Sequence, residues 1–304
     1  MHKQQIIKDI LKLKKEKKAI ILAHNYQPPE IQDIADLRGD SLELSLRASK
    51  TDAKVIVFCG VIFMAETAKI VSPEKKVLLP VKEVPCAMAD MISVEDVLRL
   101  KEKYPDAPVV TYVNSYAEIK AVSDFCCTSA NAVKVAGILK DKRIIMIPDM
   151  NLARYTQRFY PDKEIIYFEG YCKYHHFLTP EEVIECKKQY PNAIFIAHPE
   201  CNPEVIDLAD YVASTSGMLK LAKELEAKEF IIGTEIGLLY PLQRENPDKK
   251  FYHPNPEKMF CESMKKITLE DVLKALENLE FEVNLEENLR QKAYTAVKRM
   301  LEIV

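Results

Sequence analysis

The stretch "IFIAHPECNPEVIDLADYVASTSGMLKLA" (194–222) is the third appearance of one pattern in this chain. Its predecessors are "IILAHNYQPPEIQDIADLRGDSLELSLRA" (20–48) and "VVTYVNSYAEIKAVSDFCCTSANAVKVA" (109–136). Each opens with a short β-branched apolar run of the kind that forms a buried parallel strand. At the end of that run stand His24, Tyr112 and His198, spaced by 88 and 86 residues. Asp36, Asp124 and Asp210 follow twelve residues after these anchors. Ser41, Ser129 and Thr215 follow seventeen residues after them, each hydroxyl opening a helical pattern.

The phase is kept further along. Second strands begin at Val55, Arg143 and Glu229, fourteen residues beyond each hydroxyl, and "SPEKKVLL", "YPDKEIIYF" and "NPDKKFYH" then supply a turn and a third strand. After the third strand comes one cysteine per copy, Cys86, Cys172 and Cys261. Seven residues beyond each lies a helix start, at Ser93 ("SVED"), Thr179 ("TPEE") and Thr268 ("TLED"). A hydroxyl followed three residues later by a carboxylate is the capping-box signature.

Loose alternation of strand and helix does not keep so many offsets, so the chain carries an internal repeat. The expected fold is α/β: three tandem three-layer α/β/α units with parallel sheets, related by pseudo-threefold symmetry around a central active site. The expected units span 1–90, 91–176 and 177–304, the last including the C-terminal helices. Open parallel sheets bind ligands beyond the carboxyl ends of their strands. Strand ends and cysteine loops of all three units then converge on one place.

The 304 residues are 48% hydrophobic and carry a net charge of −3, so no basic field advertises nucleic acid or a membrane surface. "KLKKEKK" (12–18) reads as the solvated face of a first helix. The apolar "AIILA" after it is too short for a signal-peptide core, and the longest apolar run, "VIVFCGVIFMA" (55–65), falls short of the roughly 20 residues that cross a bilayer. The expectation is a cytoplasmic protein without nucleic-acid or membrane partners. Its eight cysteines are then packing residues, metal ligands or nucleophiles rather than disulfides.

Five of them lack threefold partners. Cys126 and Cys127 stand where the other copies carry Arg38 and Gly39, or Val212 and Ala213, and read as loop residues before a helix. Cys201 is matched by Gln27 and Ser115, Cys59 ends a strand, and Cys186 sits inside a helix; all five read as small buried hydrophobes. Cys86, Cys172 and Cys261 share one loop of the repeat, and three thiolates at a common axis make a metal site. An open fourth position suits zinc with a water, or a [4Fe–4S] cluster with one iron not held by protein. Soft thiolates accept either, and the missing CxxC spacing tilts the reading toward the cluster.

Along nearly its whole length the chain resembles the quinolinate synthases. The matching segments are "AHNYQ", "GDSLELS", "FCGVIFMAETA", "TYVNSYAEIKAVSDFCCTSANA", "HPEC", "STSGM", "GTEIG" and "CESMKKITLEDV". The resemblance implies a [4Fe–4S] enzyme that condenses iminosuccinate with dihydroxyacetone phosphate to quinolinate, phosphate and water for NAD biosynthesis. It puts the cluster ligands on Cys86, Cys172 and Cys261. It also implies a functional link to the enzyme that supplies iminosuccinate. Two departures stand out: "CESM" offers Cys261 alone where some members carry CxxCxxC, and Ala213 stands where glycine is expected.

The same resemblance makes His24, Tyr26, Tyr112, His198 and Glu200 catalytic groups. Ser41, Asn114, Ser129 and Thr215 join His24, Tyr112, His198 and Glu200 in binding substrate. Helix starts attract anions through free N–H groups and the helix dipole, although the three hydroxyls also serve as ordinary N-caps in the simpler reading. Enolisation, an isomerisation, ring closure and loss of water need groups that exchange protons near neutrality, which suits His, Glu and a phenol. His175 and His176 read as supporting or structural residues, His2 and His253 have no assigned role, and Glu235 is a candidate to face the site. Two other classes compete: a non-catalytic iron–sulfur redox sensor, which needs no strand-end acid–base groups, and a three-cysteine zinc hydrolase.

Overall fold

The apolar runs do form buried parallel strands in the computed structural model, which describes residues 3–303. The first sheet contains β1 (Ala19–His24), β2 (Leu37–Gly39), β3 (Val55–Cys59) and β4 (Lys76–Leu78). The second contains β5 (Val109–Tyr112), β6 (Phe125–Cys127), β7 (Arg143–Ile147) and β8 (Glu164–Tyr167). The third contains β9 (Ile194–Ala197), β10 (Tyr211–Val212), β11 (Glu229–Gly233) and β12 (Lys250–Tyr252). All three share one strand order, β2-β1-β3-β4 in the first, and every pairing within them is parallel. Helices cover both faces of each sheet, giving three α/β/α units.

The edge strands β2, β6 and β10 are a correction to the three-strand reading, and they place Cys126 and Cys127 in a strand rather than a loop. The repeated aspartates build them. The N–H of Asp36, Asp124 and Asp210 donates to the carbonyl of Ile21, Val109 and Phe195, at 2.9 Å in each unit. The same three carboxylates accept the N–H of those residues at 2.8 Å. Lys14, Lys101 and Lys187 stand beside them. A two- or three-residue strand has no periodicity to read, so only the acid betrays it.

Capping boxes form at Ser93, Thr179 and Thr268. The helix that starts at Ser93, Val94–Lys103, packs on the second sheet, and the one after Thr179, Pro180–Gln189, on the third. The helix after Thr268, Leu269–Asn278, returns to the first sheet beside Lys3–Glu16, with Val272, Leu273 and Leu276 against Ile6, Ile10, Ile21 and Val57. Each cysteine loop thus feeds a helix of the next unit, and the third closes the ring. Leu276 is fully buried in this contact, so Leu276→Ala should cost about 2–5 kcal/mol. Hydrogen exchange should then accelerate in β1 and β3 ahead of β9 and β11; equal acceleration in the third sheet contradicts the closure.

The C-terminal helix Glu287–Leu301 packs over β6 and the short helix Ala117–Ala121. Among the described residues no helix is long and apolar enough to cross a membrane. His2 lies outside the described residues.

Candidate active site

In this strand order the chain leaves the first strand of each unit in one direction and later returns on its other side, which opens a crevice at the carboxyl ends. His24 closes β1, Tyr112 closes β5, and His198 follows β9. The three ends line a single cavity of about 170 Å³. Two residues beyond each anchor Tyr26, Asn114 and Glu200 line it too, as do the hydroxyls of Ser41, Ser129 and Thr215 and the thiols of Cys86, Cys172 and Cys261. Every site residue named from the sequence belongs to a set of three, one from each unit.

The anchors share a local turn. Tyr26 N–H donates to His24 Nδ1 at 3.2 Å, and Glu200 N–H to His198 Nδ1 at 3.3 Å. With Nδ1 accepting, the His24 proton sits on Nε2, so a neutral ring still offers a donor. Burial, aided by the charges of Lys265 and His198, lowers its pKa to about 3, and burial likewise lowers His198. His24 is a neutral hydrogen-bond donor at pH 7.

Glu200 is the hub. Its Oε2 lies 2.9 Å from His175 Nδ1 and 3.4 Å from His198 Nδ1, and Asn114 Nδ2 donates to Oε1 at 3.4 Å. Burial pushes this carboxyl up, but the attraction and hydrogen bonds of His175 and His198 outweigh it and hold the group well below the usual range. Burial and the charge of Glu200 push the Tyr26 and Tyr112 phenols up. Tyr26 Oη is 2.5 Å from Thr234 Oγ1, which is 2.9 Å from His175 Nε2.

His175 is therefore central, not merely supporting, and Thr234 joins it although the repeat gave no sign of either. The equivalents of His175 are Ala89 and Met264, and those of Thr234 are Gly60 and Pro148. The segment "GTEIG" was the available signal for Thr234. His176 instead contacts Asn151 and lies tilted against Tyr171. Burial lowers His253 to about 4, and its Nε2 donates to the Thr234 carbonyl at 2.6 Å. Glu235 does line the cavity, but both its oxygens are engaged by backbone N–H groups and Lys265.

The hydroxyl set needs a correction. Ser41 and Thr215 are the first residues of the helices Ser41–Lys50 and Thr215–Glu224, and the caps are the residues before them. Asp40 accepts from Leu42 and Glu43 N–H at 3.0 Å, and Ser214 from Gly217 N–H at 3.3 Å. Ser129 lies in a turn before the short helix Ala132–Ile138 and faces the Tyr112 phenol. Capping by Asp40 leaves the Ser41 side chain on the cavity wall, where Ser129 also lies, while the Thr215 oxygen accepts from Asn25 Nδ2 at 2.9 Å.

The donor set suits a metal. Burial raises the Cys86 thiol to about 12 and pushes Cys172 and Cys261 up, and Cys172 also feels the charges of Glu200, Cys86 and Cys261. Thiols so placed give up protons only to a cation that replaces them. Cys172, His175 and Glu200 bring ligand atoms within 4.8 Å of one another. Lys173 is the one Lys or Arg among the lining residues. The other five cysteines, Cys59, Cys126, Cys127, Cys186 and Cys201, are buried away from this cavity and pack in the core.

Three α/β units that pool strand-end acid–base groups and thiols in one cavity define the class: an enzyme with a single shared, metal-competent site. Residues 8–302 match the family described as "Quinolinate synthetase A protein". The chain belongs to that family, whose activity serves NAD biosynthesis. It is 53% identical over 298 residues to the quinolinate synthase of Thermodesulfovibrio yellowstonii, covering 98% of both chains. It is 52% identical over 303 residues to that of Alkaliphilus metalliredigens, covering 100% of both. To that of Geotalea uraniireducens it is 52% identical over 303 residues, covering 100% of this chain and 99% of the relative.

Proposed function

We propose that this enzyme condenses iminosuccinate with dihydroxyacetone phosphate to quinolinate, releasing phosphate and water, with a [4Fe–4S] cluster held by Cys86, Cys172 and Cys261. The observation that carries the reading is the gathering of all four threefold sets, thiols included, around one cavity. Equal formation of quinolinate and phosphate from the two substrates tests it.

A cluster held by Cys86, Cys172 and Cys261 would supply Lewis acidity toward a hydroxyl or carboxylate. The chain's own groups do the rest. His24 presents a neutral N–H donor to an anionic substrate. The Asn114 Oδ1 atom is buried without a partner, and such an acceptor awaits a substrate N–H or O–H. Glu200 takes a proton in one step and returns it in a later one, with His198 and His175 alongside. Tyr26 and Tyr112, their phenols held protonated, act as donors to developing negative charge on the triose. Domain-wise, the three units 1–90, 91–176 and 177–304 each contribute one member of every set. The protein acts in the cytoplasm, and the lability of an imine in water links it to the enzyme that makes iminosuccinate.

The helix starts at Ser41 and Thr215, with the Ser129 turn, form the phosphate and carboxylate pocket. Inorganic phosphate or a dicarboxylate should therefore raise the melting temperature, and Ser41→Ala and Ser129→Ala should each weaken that protection without unfolding the unliganded protein. Unchanged protection in both variants removes the anion pocket. One observation favours a second reading, a single zinc ion: the close grouping of Cys172, His175 and Glu200. Iron and sulfide content separates the two.

A further inference from the structure

Two buried carboxyl groups occupy equivalent places in the repeat and bond to the backbone of the thiol-bearing loops. Asp149 and Glu235 each lie six residues after the start of the second strand of their unit, β7 from Arg143 and β11 from Glu229, where the first unit has Val61. They are 2% and 1% exposed. Asp149 Oδ2 accepts the N–H of Cys172 at 3.3 Å, and its Oδ1 that of Leu152 at 2.8 Å. Glu235 Oε1 accepts the N–H of Cys261 at 3.0 Å, and its Oε2 that of Gly237 at 2.8 Å. Lys265 completes the second arrangement, 2.7 Å from Glu235 Oε1 and bonded to the Tyr26 carbonyl.

We propose that Asp149 and Glu235 are positioning residues for the metal: each clamps the backbone of one thiol-bearing loop to the end of its own sheet. The inference rests on the reading of Cys86, Cys172 and Cys261 as ligands. A buried carboxyl group whose two oxygens each accept an amide N–H fixes the loop before any metal arrives. Groups behind a ligand in this way govern how tightly the metal is kept. Val61 offers no such bond, and among the described residues no carboxylate accepts the N–H of Cys86 as Asp149 and Glu235 accept those of Cys172 and Cys261. Lys265 extends the Glu235 clamp to the loop of Tyr26, joining the first and third units across the cavity.

Asp149→Asn and Glu235→Gln keep the shape but replace one acceptor oxygen by an NH2 group, so one of the two amides loses its partner. The test uses anaerobic, iron-loaded protein and follows iron release to a chelator, with the melting temperature of the metal-free protein measured alongside. Each variant should release iron about 10-fold faster than the parent, with metal-free melting temperatures within about 2 °C of it. Glu235→Gln should release faster than Asp149→Asn, because it also leaves Lys265 without its ion pair. Release at the parental rate, in a protein whose Cys172→Ser variant does lose its iron, overturns the clamp while leaving the thiol assignment standing. Iron retained in Cys172→Ser overturns both. Faster release accompanied by a fall of more than about 5 °C in both metal-free variants marks the carboxylates as general supports of the fold and also overturns the proposal.

Discussion

Glu200→Gln should leave a folded, iron-loaded protein that still binds its substrates but forms quinolinate at least about 100-fold more slowly. Glu200 is 3% exposed and touches Asn114, His175 and His198, which come from three places in the chain. Glutamine fills the same volume and still accepts from Asn114, so the cavity keeps its shape. It cannot take up a proton and return it. It also places an amide where His175 and His198 now face a carboxylate. If Glu200 only held the turn after β9 together, the variant would melt at a lower temperature and keep most of its turnover. Melting temperature and single-turnover rate on the same anaerobic sample separate the two roles. A stable variant with nearly full activity contradicts both.

The larger effect belongs to the thiols. Serine at Cys86, Cys172 or Cys261 should abolish cluster retention and with it product formation, whereas Cys126→Ser and Cys127→Ser should keep their iron. The contrast has a physical basis. A serine hydroxyl is a poor ligand for soft metal and does not become an alkoxide at pH 7, so each loss opens a second iron to solvent. Cys126 and Cys127 lie in β6, fully buried under the C-terminal helix, and there serine instead buries a hydroxyl where a thiol had packed. That costs stability of about 1–3 kcal/mol and leaves the cavity intact. Iron and acid-labile sulfide measured on the five variants decide the matter. Iron kept in Cys172→Ser, or lost in Cys127→Ser at full retention of structure, reverses the assignment.

Most of the site was legible because it is written three times. His24, Tyr112 and His198 were found as phase-locked strand ends, and the cysteines as the one thiol that every copy repeats. What the repeat does not contain stayed hidden. His175 and Thr234 occur once, so no offset pointed to them, and they emerge only when the loop after β8 brings His175 between Thr234, at the end of β11, and Glu200. Asp149 and Glu235 occur twice and differ in side-chain length. The caps were misread by one residue, because a hydroxyl beside Asp40 or Ser214 looks as good a cap as its neighbour until the N–H directions are known. The helix Leu269–Asn278 was legible as a helix, but its destination on the first sheet is a matter of ring closure, which local pattern does not encode.

One assay of the anaerobically purified protein tests the proposed reaction most directly: iminosuccinate generated in place, dihydroxyacetone phosphate added, quinolinate and inorganic phosphate both quantified, and iron, sulfide and zinc measured on the same sample. The expected result is a brown protein with about four irons and four sulfides per chain that forms quinolinate and phosphate in equal amounts. A brown protein that forms neither would be a sensor, and a colourless zinc protein that hydrolyses the phosphate without forming quinolinate would be a hydrolase; either result contradicts the proposed reaction.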